Sequence, residues 1–147
     1  AMTPDAAAPS RPEPSVPAAD AARLRDAAHA TPHDVLGAHP APGGCVVRAF
    51  HPDAVAVDCL VGDGVAPMAD LGGGVFAVFV AAARLPLAYR LRFRFADGSA
   101  WERDDPYRFL PTLGEVDCYL FNEGTHRHLW RCLGAHPREV DGVRGVA

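Results

Sequence analysis

Residues 87–96 read Leu-Ala-Tyr-Arg-Leu-Arg-Phe-Arg-Phe-Ala, and this stretch decides the fold class of the chain. Large apolar or aromatic residues alternate with Ala or Arg, and a β-strand points successive side chains to opposite faces. We therefore predict a strand with an aromatic core face and an arginine face (Arg90, Arg92, Arg94). The arginine face is either an interdomain surface or an ordinary solvated one. Asp97-Gly98 predicts a hairpin turn, after which residues 99–103 return antiparallel.

Four segments upstream have the same twofold period and are bounded by turn residues. We predict strands at residues 45–51, 55–61, 65–71 and 75–81, with tight turns at Gly62-Asp63-Gly64 and Gly72-Gly73-Gly74. In the second strand we expect Val55, Val57, Cys59 and Val61 to share one face. Six short strands without an intervening helix favour a mainly β fold, an immunoglobulin-like antiparallel β-sandwich with short helices at both ends.

The two ends of the chain differ from this central region. Residues 1–17 are rich in Pro and Ala and predict disorder, because they bury too little apolar surface to offset their ordering entropy. Asp20 is expected to cap a helix that reaches Ala30, and Thr31-Pro32 to start another turn from which Val35 and Leu36 face inward. After Asp105-Pro106-Tyr107 ends the sheet, residues 109–121 are expected to be irregular. Thr125 is expected to cap a helix over residues 126–133.

The pentapeptide Leu-Gly-Ala-His-Pro occurs twice, as Leu36–Pro40 and as Leu133–Pro137. The copies are separated by roughly 100 residues, the length of one small β-sandwich. We interpret this as one complete module followed by the opening of a related one, so that the chain is expected to be a fragment. The predicted division is a tail at 1–30, a first sandwich at 31–124, and a connecting helix with the start of a second sandwich at 125–147.

Composition excludes several classes of function. The chain has 147 residues, a net charge of −4 and 49% hydrophobic residues, which is ordinary for a globular protein. We expect no nucleic-acid partner because there is no basic excess, and no membrane span because no apolar run reaches about 20 residues. No secretory signal is visible. All 14 basic residues are arginines, which we attribute to a GC-rich genome.

The four cysteines are expected to be buried free thiols rather than a disulfide framework, since no secretory signal is visible and none forms a C-x-x-C pair. A zinc site built from Cys118, His126, His128 and Cys132 does not match the usual ligand spacings, so we expect neither a metal nor a cofactor.

No catalytic motif is present in the sequence: Gly72-Gly73-Gly74 lacks the residues of a phosphate loop, and there is no G-x-S-x-G. The acidic run Glu102, Asp104 and Asp105 is best interpreted as a solvated loop held by arginine–carboxylate pairs with Arg103 and Arg108.

Exposed aromatic rings bind the apolar faces of sugars, which makes Trp101 and Trp130 candidates, with Tyr107 and Tyr119 behind them. The alternative is that both tryptophans serve packing.

Several long, ordered motifs follow one another along the chain: Asp34-x-Leu36-Gly37-Ala38-His39-Pro40, Val47-Arg48-Ala49-Phe50-x-Pro52, Asp105-Pro106-Tyr107-Arg108-Phe109, Leu113-Gly114-Glu115-x-Asp117-x-Tyr119-Leu120-Phe121, Glu123-Gly124-Thr125-His126 and Val143-Arg144-Gly145-Val146, together with the second pentapeptide. These motifs resemble those of one family, the amino-terminal domains of bacterial glycogen branching enzymes. The resemblance covers about residues 32–147 and leaves out the proline-rich start.

The resemblance implies a multidomain cytoplasmic parent whose catalytic residues lie in a barrel domain absent from this chain. It also implies that the second sandwich, which starts within residues 125–147, is a carbohydrate-binding module. Such enzymes cleave α-1,4 links, form α-1,6 links and need no cofactor. The expected role of this chain is noncatalytic: it assists binding of the glucan donor and influences the length of chain transferred. Its expected partners are α-glucan, bound weakly, and the other domains of the same polypeptide. The candidate glucan contacts are Trp101, Arg103, Tyr107 and Trp130. The alternative is a packing module that never touches sugar.

Overall fold

A computed structural model describes residues 15–147. The disorder predicted for residues 1–17 therefore lies almost wholly outside the described residues. The chain forms two compact units, one ending at Arg108 and the other covering Phe109–Ala147. The predicted division at residues 30 and 124 remains a prediction about domain organisation. None of the helices within residues 15–147 has the length and apolarity needed to cross a bilayer.

The first unit is an antiparallel β-sandwich preceded by one short helix, which confirms the predicted class. Helix α1 spans Ala18–Arg25, and a 3-10 turn covers Pro32–Asp34. One sheet has the order β1-β2-β6-β5 and the other β4-β3-β7-β8. The strands are β1 Gly37–Ala41, β2 Gly44–Phe50, β3 Ala54–Val61, β4 Gly64–Pro67, β5 Ala69–Gly72, β6 Val75–Ala81, β7 Arg90–Phe95 and β8 Ala100–Asp104.

Strand β7 provides the centre of the core, as its alternation predicts. Leu91 and Phe93 on β7, and Tyr89 just before it, are each 2% exposed. They pack with Val57 and Cys59 of β3 and with residues of the opposite sheet. Burying each large side chain contributes about 1.5–3 kcal/mol, so this strand holds the two sheets together.

Segment 65–71, predicted as a single strand, is two strands in different sheets. Strand β4 pairs with β3, whereas β5 pairs with β6. The change of sheet occurs at Met68, which is 8% exposed and whose amide donates to the Val57 carbonyl at 2.9 Å. A period of two persists through such a crossing, so the pattern gave no sign of it.

Val55 does not share the face predicted for it. A register shift between Ala54 and Ala56 interrupts the pairing of β3 with β7. Val55 is 57% exposed, whereas Val57 and Cys59 are 1% and 0% exposed. The extra residue of a bulge breaks the alternation locally, and this accounts for the wrong prediction.

At the amino-terminal end, Val35 and Leu36 are buried with Leu24 of α1, as predicted. The helix, however, is shorter than expected. It begins at Ala18, so that Asp20 lies in its first turn rather than at its cap, and it ends at Arg25.

The second unit contains a helix, a 3-10 turn and a hairpin. Helix α2 spans Glu115–Asn122, the 3-10 turn Leu129–Arg131, and the hairpin consists of β9 Pro137–Val140 and β10 Val143–Val146. Residues 109–121 are thus not irregular throughout. Helix α2 has acidic residues in its first turn, where their negative charge interacts favourably with the helix dipole and stabilises the helix. One of them, Asp117, accepts the Gly114 amide through Oδ2 at 3.4 Å.

The helix predicted over residues 126–133 is reduced to the single 3-10 turn. The His126 ring turns back to Asp117 of α2 instead of following a helix, and its Nδ1 accepts the His128 amide at 3.1 Å. These contacts fix residues 126–128 outside a helix, which explains the shorter element.

The repeated pentapeptide adopts the same local structure in both units. Its glycine has a positive φ, +89° at Gly37 and +96° at Gly134. The histidine three residues after the leucine approaches the leucine carbonyl through Nε2, at 3.0 Å for His39 and 2.9 Å for His136. A 3-10 turn precedes each copy and an antiparallel hairpin accompanies it. The repeat is therefore structural as well as sequential.

Candidate functional site

Trp101 and Arg103 lie on the same face of β8, and that face is turned toward the core side of its sheet. Trp101 pairs with Phe93 and Arg103 with Leu91 in the antiparallel register. Strand β8 is the last strand of the sheet β4-β3-β7-β8, and no other strand within residues 15–147 pairs with its outer side. Consequently Trp101 is 62% exposed although its cross-strand neighbour Phe93 is buried.

Four rings form a continuous row here, which we call the aromatic edge: Trp101, Phe95, His51 and Phe93. Ring centroids are 5.2 Å apart for Trp101 and Phe95, 5.0 Å for Phe95 and His51, and 5.3 Å for His51 and Phe93. The Arg103 guanidinium lies 4.7 Å from the Phe93 ring centroid. The partly buried Phe95 ring holds the exposed indole in place, because edge-to-face contacts fix ring orientation.

The chemistry of the aromatic edge is that of binding. It offers a largely exposed indole with one N–H donor, and beside it a guanidinium with five donors. His51 Nδ1 accepts the Asp53 amide at 3.2 Å, which leaves its other ring nitrogen as the donor. An apolar plane flanked by donors suits a ligand with an apolar ring face and polar rim groups.

Tyr107 and Trp130, the other two candidates, lie elsewhere. Tyr107 packs in a separate cluster with Leu24 and Leu36, and its ring meets His33 edge-on at 5.0 Å. Trp130 belongs to the second unit, where it is 66% exposed and the Arg131 guanidinium lies 5.0 Å from its ring centroid. Among the three predicted contacts of the first unit, the structure brings Trp101 and Arg103 together and places Tyr107 in another cluster.

A family profile covers most of the first unit. The family profile described as "alpha-1,4-glucan branching enzyme GlgB, N-terminal domain" matches residues 17–107. The chain belongs to this family.

Two relatives show how much of a branching enzyme this GlgB N-terminal domain represents. It is 47% identical over 133 residues to 1,4-alpha-glucan branching enzyme GlgB 1 of Streptomyces coelicolor, covering 90% of this chain and 17% of that protein. It is 45% identical over 135 residues to GlgB of Mycobacterium ulcerans, covering 92% and 18%. The chain therefore spans less than a fifth of the length of these relatives.

Among solved structures, a pullulanase from Paenibacillus barengoltzii in complex with maltotriose is similar at 26% identity with a TM-score of 0.39, covering 46% of this chain and 11% of that one.

The acidic run of this GlgB domain is paired with arginines, in part as predicted. Glu102 lies 2.8 Å from Arg92, and Asp104 lies 2.9 Å from Arg108. The arginine face of β7 is thus engaged on its own sheet, since Arg90 also approaches Glu102 at 3.7 Å and Arg94 approaches Asp58 at 3.2 Å.

Asp105 departs from the predicted solvated loop, because it is only 2% exposed. Its Oδ2 accepts the Tyr89 hydroxyl at 2.6 Å and its Oδ1 accepts the Tyr107 amide at 3.0 Å. Burial raises the pKa of Asp105, while these two hydrogen bonds oppose the rise. Burial and the neighbouring Asp105 charge also raise the pKa of Tyr89. The pair fixes the segment after β8 to β7 and acts on the fold rather than on a ligand.

All four cysteines are free, as predicted. Cys45 and Cys59 are buried, but the predicted burial is wrong for Cys118, which is exposed, and for Cys132, which is only partly buried. Burial, with a smaller contribution from Asp105, raises the pKa of Cys59 to about 12. The quartet considered for zinc is only partly assembled. His126 and Cys132 meet with Asp117, which the sequence analysis missed, whereas Cys118 and His128 are not part of the cluster.

From the sequence, His51 and Asp117 were missed as site residues, and Phe93 and Phe95 of the aromatic edge were predicted only as core residues. His51 follows strand β2 and Asp117 is the third residue of helix α2, and both positions have ordinary structural explanations. The fold places His51 beside Phe95, and the return of the chain to α2 places His126 beside Asp117.

Proposed function

We propose that this domain is a noncatalytic module of a cytoplasmic glycogen branching enzyme, one that cleaves α-1,4 links and forms α-1,6 links. In this proposal the domain contacts the donor α-glucan through the aromatic edge and so influences the length of chain transferred. The single observation that carries the glucan contact is the exposed Trp101 ring beside Arg103 on the uncovered edge strand.

The contact is expected to be weak. One ring stacked on a sugar contributes about 1–1.5 kcal/mol, by analogy with other aromatic pairs. Even with hydrogen bonds from the Arg103 guanidinium, this corresponds to a dissociation constant of about 1 mM or weaker. Such an affinity is adequate for a polyvalent polymer, because a second site on the same polypeptide would raise the effective concentration of the chain.

A maltoheptaose titration followed by tryptophan fluorescence tests the contact directly. The sequence contains two tryptophans, so Trp130→Phe leaves Trp101 as the sole indole reporter. We expect a saturable change in Trp130→Phe and no change in Trp101→Phe, in which only Trp130 reports. Arg103→Gln in the Trp130→Phe background should weaken binding severalfold. An unchanged emission from Trp101 at saturating sugar would reject the glucan contact.

The noncatalytic role is tested separately, by incubating the purified chain with amylose and measuring new α-1,6 links. We expect none above the level of a heat-denatured sample. Reproducible branching that follows the protein through purification would contradict the proposal.

The second candidate is a purely structural module that packs on the rest of the polypeptide without touching sugar. Its support is the exposed apolar surface of the second unit, where Leu110 is 90%, Val116 69% and Phe121 55% exposed. Surface of this kind commonly marks an interaction site. A silent maltoheptaose titration in every variant would favour this candidate over the first.

A further inference from the structure

Three side chains of different chemistry converge in the second unit, between the first turn of α2 and the 3-10 turn at Leu129–Arg131. The ligand atoms of Asp117, His126 and Cys132 all lie within 4.8 Å of one another. His126 Nε2 is 2.8 Å from Asp117 Oδ1 and 3.7 Å from Cys132 Sγ. The His126 side chain is only 8% exposed, so the surrounding protein holds the central residue of the cluster in place.

These distances are close to those of a tetrahedral zinc site. With metal–ligand bonds of about 2.0–2.3 Å, neighbouring ligand atoms in such a site are separated by about 3.5 Å. The separation of His126 Nε2 from Cys132 Sγ already has this value within a few tenths of an ångström. The carboxylate of Asp117 would move away from the ring by roughly half an ångström, which is a small change for a side chain with 36% of its surface exposed.

The donor set decides which metal fits. A thiolate together with an imidazole favours Zn²⁺ over Mg²⁺ and Ca²⁺, which prefer all-oxygen ligands. We propose that Asp117, His126 and Cys132 form a Zn²⁺ site, with a water molecule as the fourth ligand. The proposal goes beyond the glucan contact and is independent of it.

A cavity of about 220 Å³ beside the cluster provides room for the fourth ligand. Asp117 and Cys132 line it together with Leu113, Phe121 and Leu133. Three protein ligands and one open position are the arrangement that zinc adopts when it is not fully enclosed by protein.

Loading the site requires a defined movement of protons. The ring now accepts the His128 amide at Nδ1, so its proton is on Nε2, facing Asp117. When the metal binds, that proton would move to Nδ1 and His126 Nε2 would coordinate the metal. The His128 amide would then donate to a water molecule instead of to Nδ1. The Cys132 thiol, which now donates to the Leu129 carbonyl at 3.4 Å, loses its proton to solvent. One proton is therefore released for each Zn²⁺ bound, and no oxidant or reductant takes part.

The consequence for the protein is local. Zn²⁺ would join α2 to the 3-10 turn through ligands separated by nine and six positions along the chain, Asp117 to His126 and His126 to Cys132. Because the metal binds only the folded arrangement, it would stabilise residues 115–133 against opening. The first unit would be unaffected.

The test uses the full chain without an affinity tag, dialysed against chelator and titrated with Zn²⁺ and, separately, Co²⁺. We expect one Zn²⁺ per chain, and an absorption band from thiolate-to-Co²⁺ charge transfer. Cys132→Ser should lose this band and bind Zn²⁺ at least tenfold more weakly, while keeping the fold because serine preserves the size of the side chain. His126→Gln and Asp117→Asn should also lose at least tenfold in affinity.

Cys118→Ser is the matched control, since Cys118 lines the same cavity but lies outside the cluster. This variant should retain the wild-type affinity and the charge-transfer band. Circular dichroism and amide hydrogen exchange of residues 115–133, with and without Zn²⁺, separate loss of binding from loss of folding. The proposal is overturned if the wild type binds no more tightly than Cys132→Ser, or if Cys118→Ser rather than Cys132→Ser abolishes the band.

Discussion

Removal of one hydroxyl group, in Tyr89→Phe, should destabilise the sandwich of the first unit markedly. The Tyr89 hydroxyl donates to Asp105 Oδ2 at 2.6 Å, and both residues are 2% exposed. Phenylalanine preserves the ring and its packing against the core. The substitution therefore isolates a single buried hydrogen bond whose acceptor is a carboxylate.

The expected loss is about 2–3 kcal/mol. A hydrogen bond to a charged group contributes about 1.5–3 kcal/mol, and the deletion leaves a buried acceptor without its donor. The loss is limited because Asp105 Oδ1 still accepts the Tyr107 amide at 3.0 Å. For a domain of this size, that free energy corresponds to a fall in Tm of roughly 10 °C or more.

Urea denaturation monitored by circular dichroism measures this loss as a shift in midpoint at constant m. Tyr107→Phe is the matched control, because it makes the same chemical change in a neighbouring tyrosine. The Tyr107 hydroxyl has no hydrogen-bond partner among residues 15–147. The Tyr89→Phe penalty should also be larger at neutral than at acidic pH, since the lost bond favours the ionised carboxylate. A loss no greater than that of Tyr107→Phe would refute the reasoning.

Three further predictions concern other buried or constrained groups. Because burial raises the pKa of Asp105, the folded state binds the proton of this carboxyl more tightly than the unfolded state does. The free energy of unfolding should therefore fall as pH rises from about 4. Urea denaturation over a pH series should show this fall in the wild type and not in Asp105→Asn. Gly37→Ala should lower the free energy of unfolding by about 2 kcal/mol or more, since φ is +89° and a Cβ would lie 2.5 Å from the Tyr107 carbonyl oxygen. Gly98→Ala, where φ is +85° but the space around a Cβ is open, should lower it by about 1 kcal/mol in the same urea assay. Iodoacetamide at mildly alkaline pH should modify exposed Cys118 well before Cys59, whose pKa is raised to about 12; peptide mass spectrometry showing equal rates would contradict its burial.

The strands and the core could be predicted largely from local pattern. The alternation of residues 87–96 identified Tyr89, Leu91 and Phe93 as core residues, and all three are 2% exposed. The strand at 75–81 coincides with β6. These predictions succeed because side-chain direction alternates within any strand, whatever it pairs with.

The candidate site depended on more than local pattern. Aromatic residues at positions 95 and 101 were visible in the sequence, but their 5.2 Å contact follows from the register of β7 with β8. His51 reaches the same row from the end of β2, and Asp117 reaches His126 from α2. Each of these contacts joins segments that the sequence places apart.

Local sequence pattern was thus sufficient for the class of fold, the central core strand and the two copies of one local turn. Three features became apparent only in the folded chain: the change of sheet at Met68, the exposure of Val55 at a bulge, and the position of β8 at the sheet edge with Trp101 uncovered. The physical reason is that alternation and turn chemistry act within a few residues. Which strand lies at an edge depends on pairing between distant segments, and that pairing is what exposes or buries a ring.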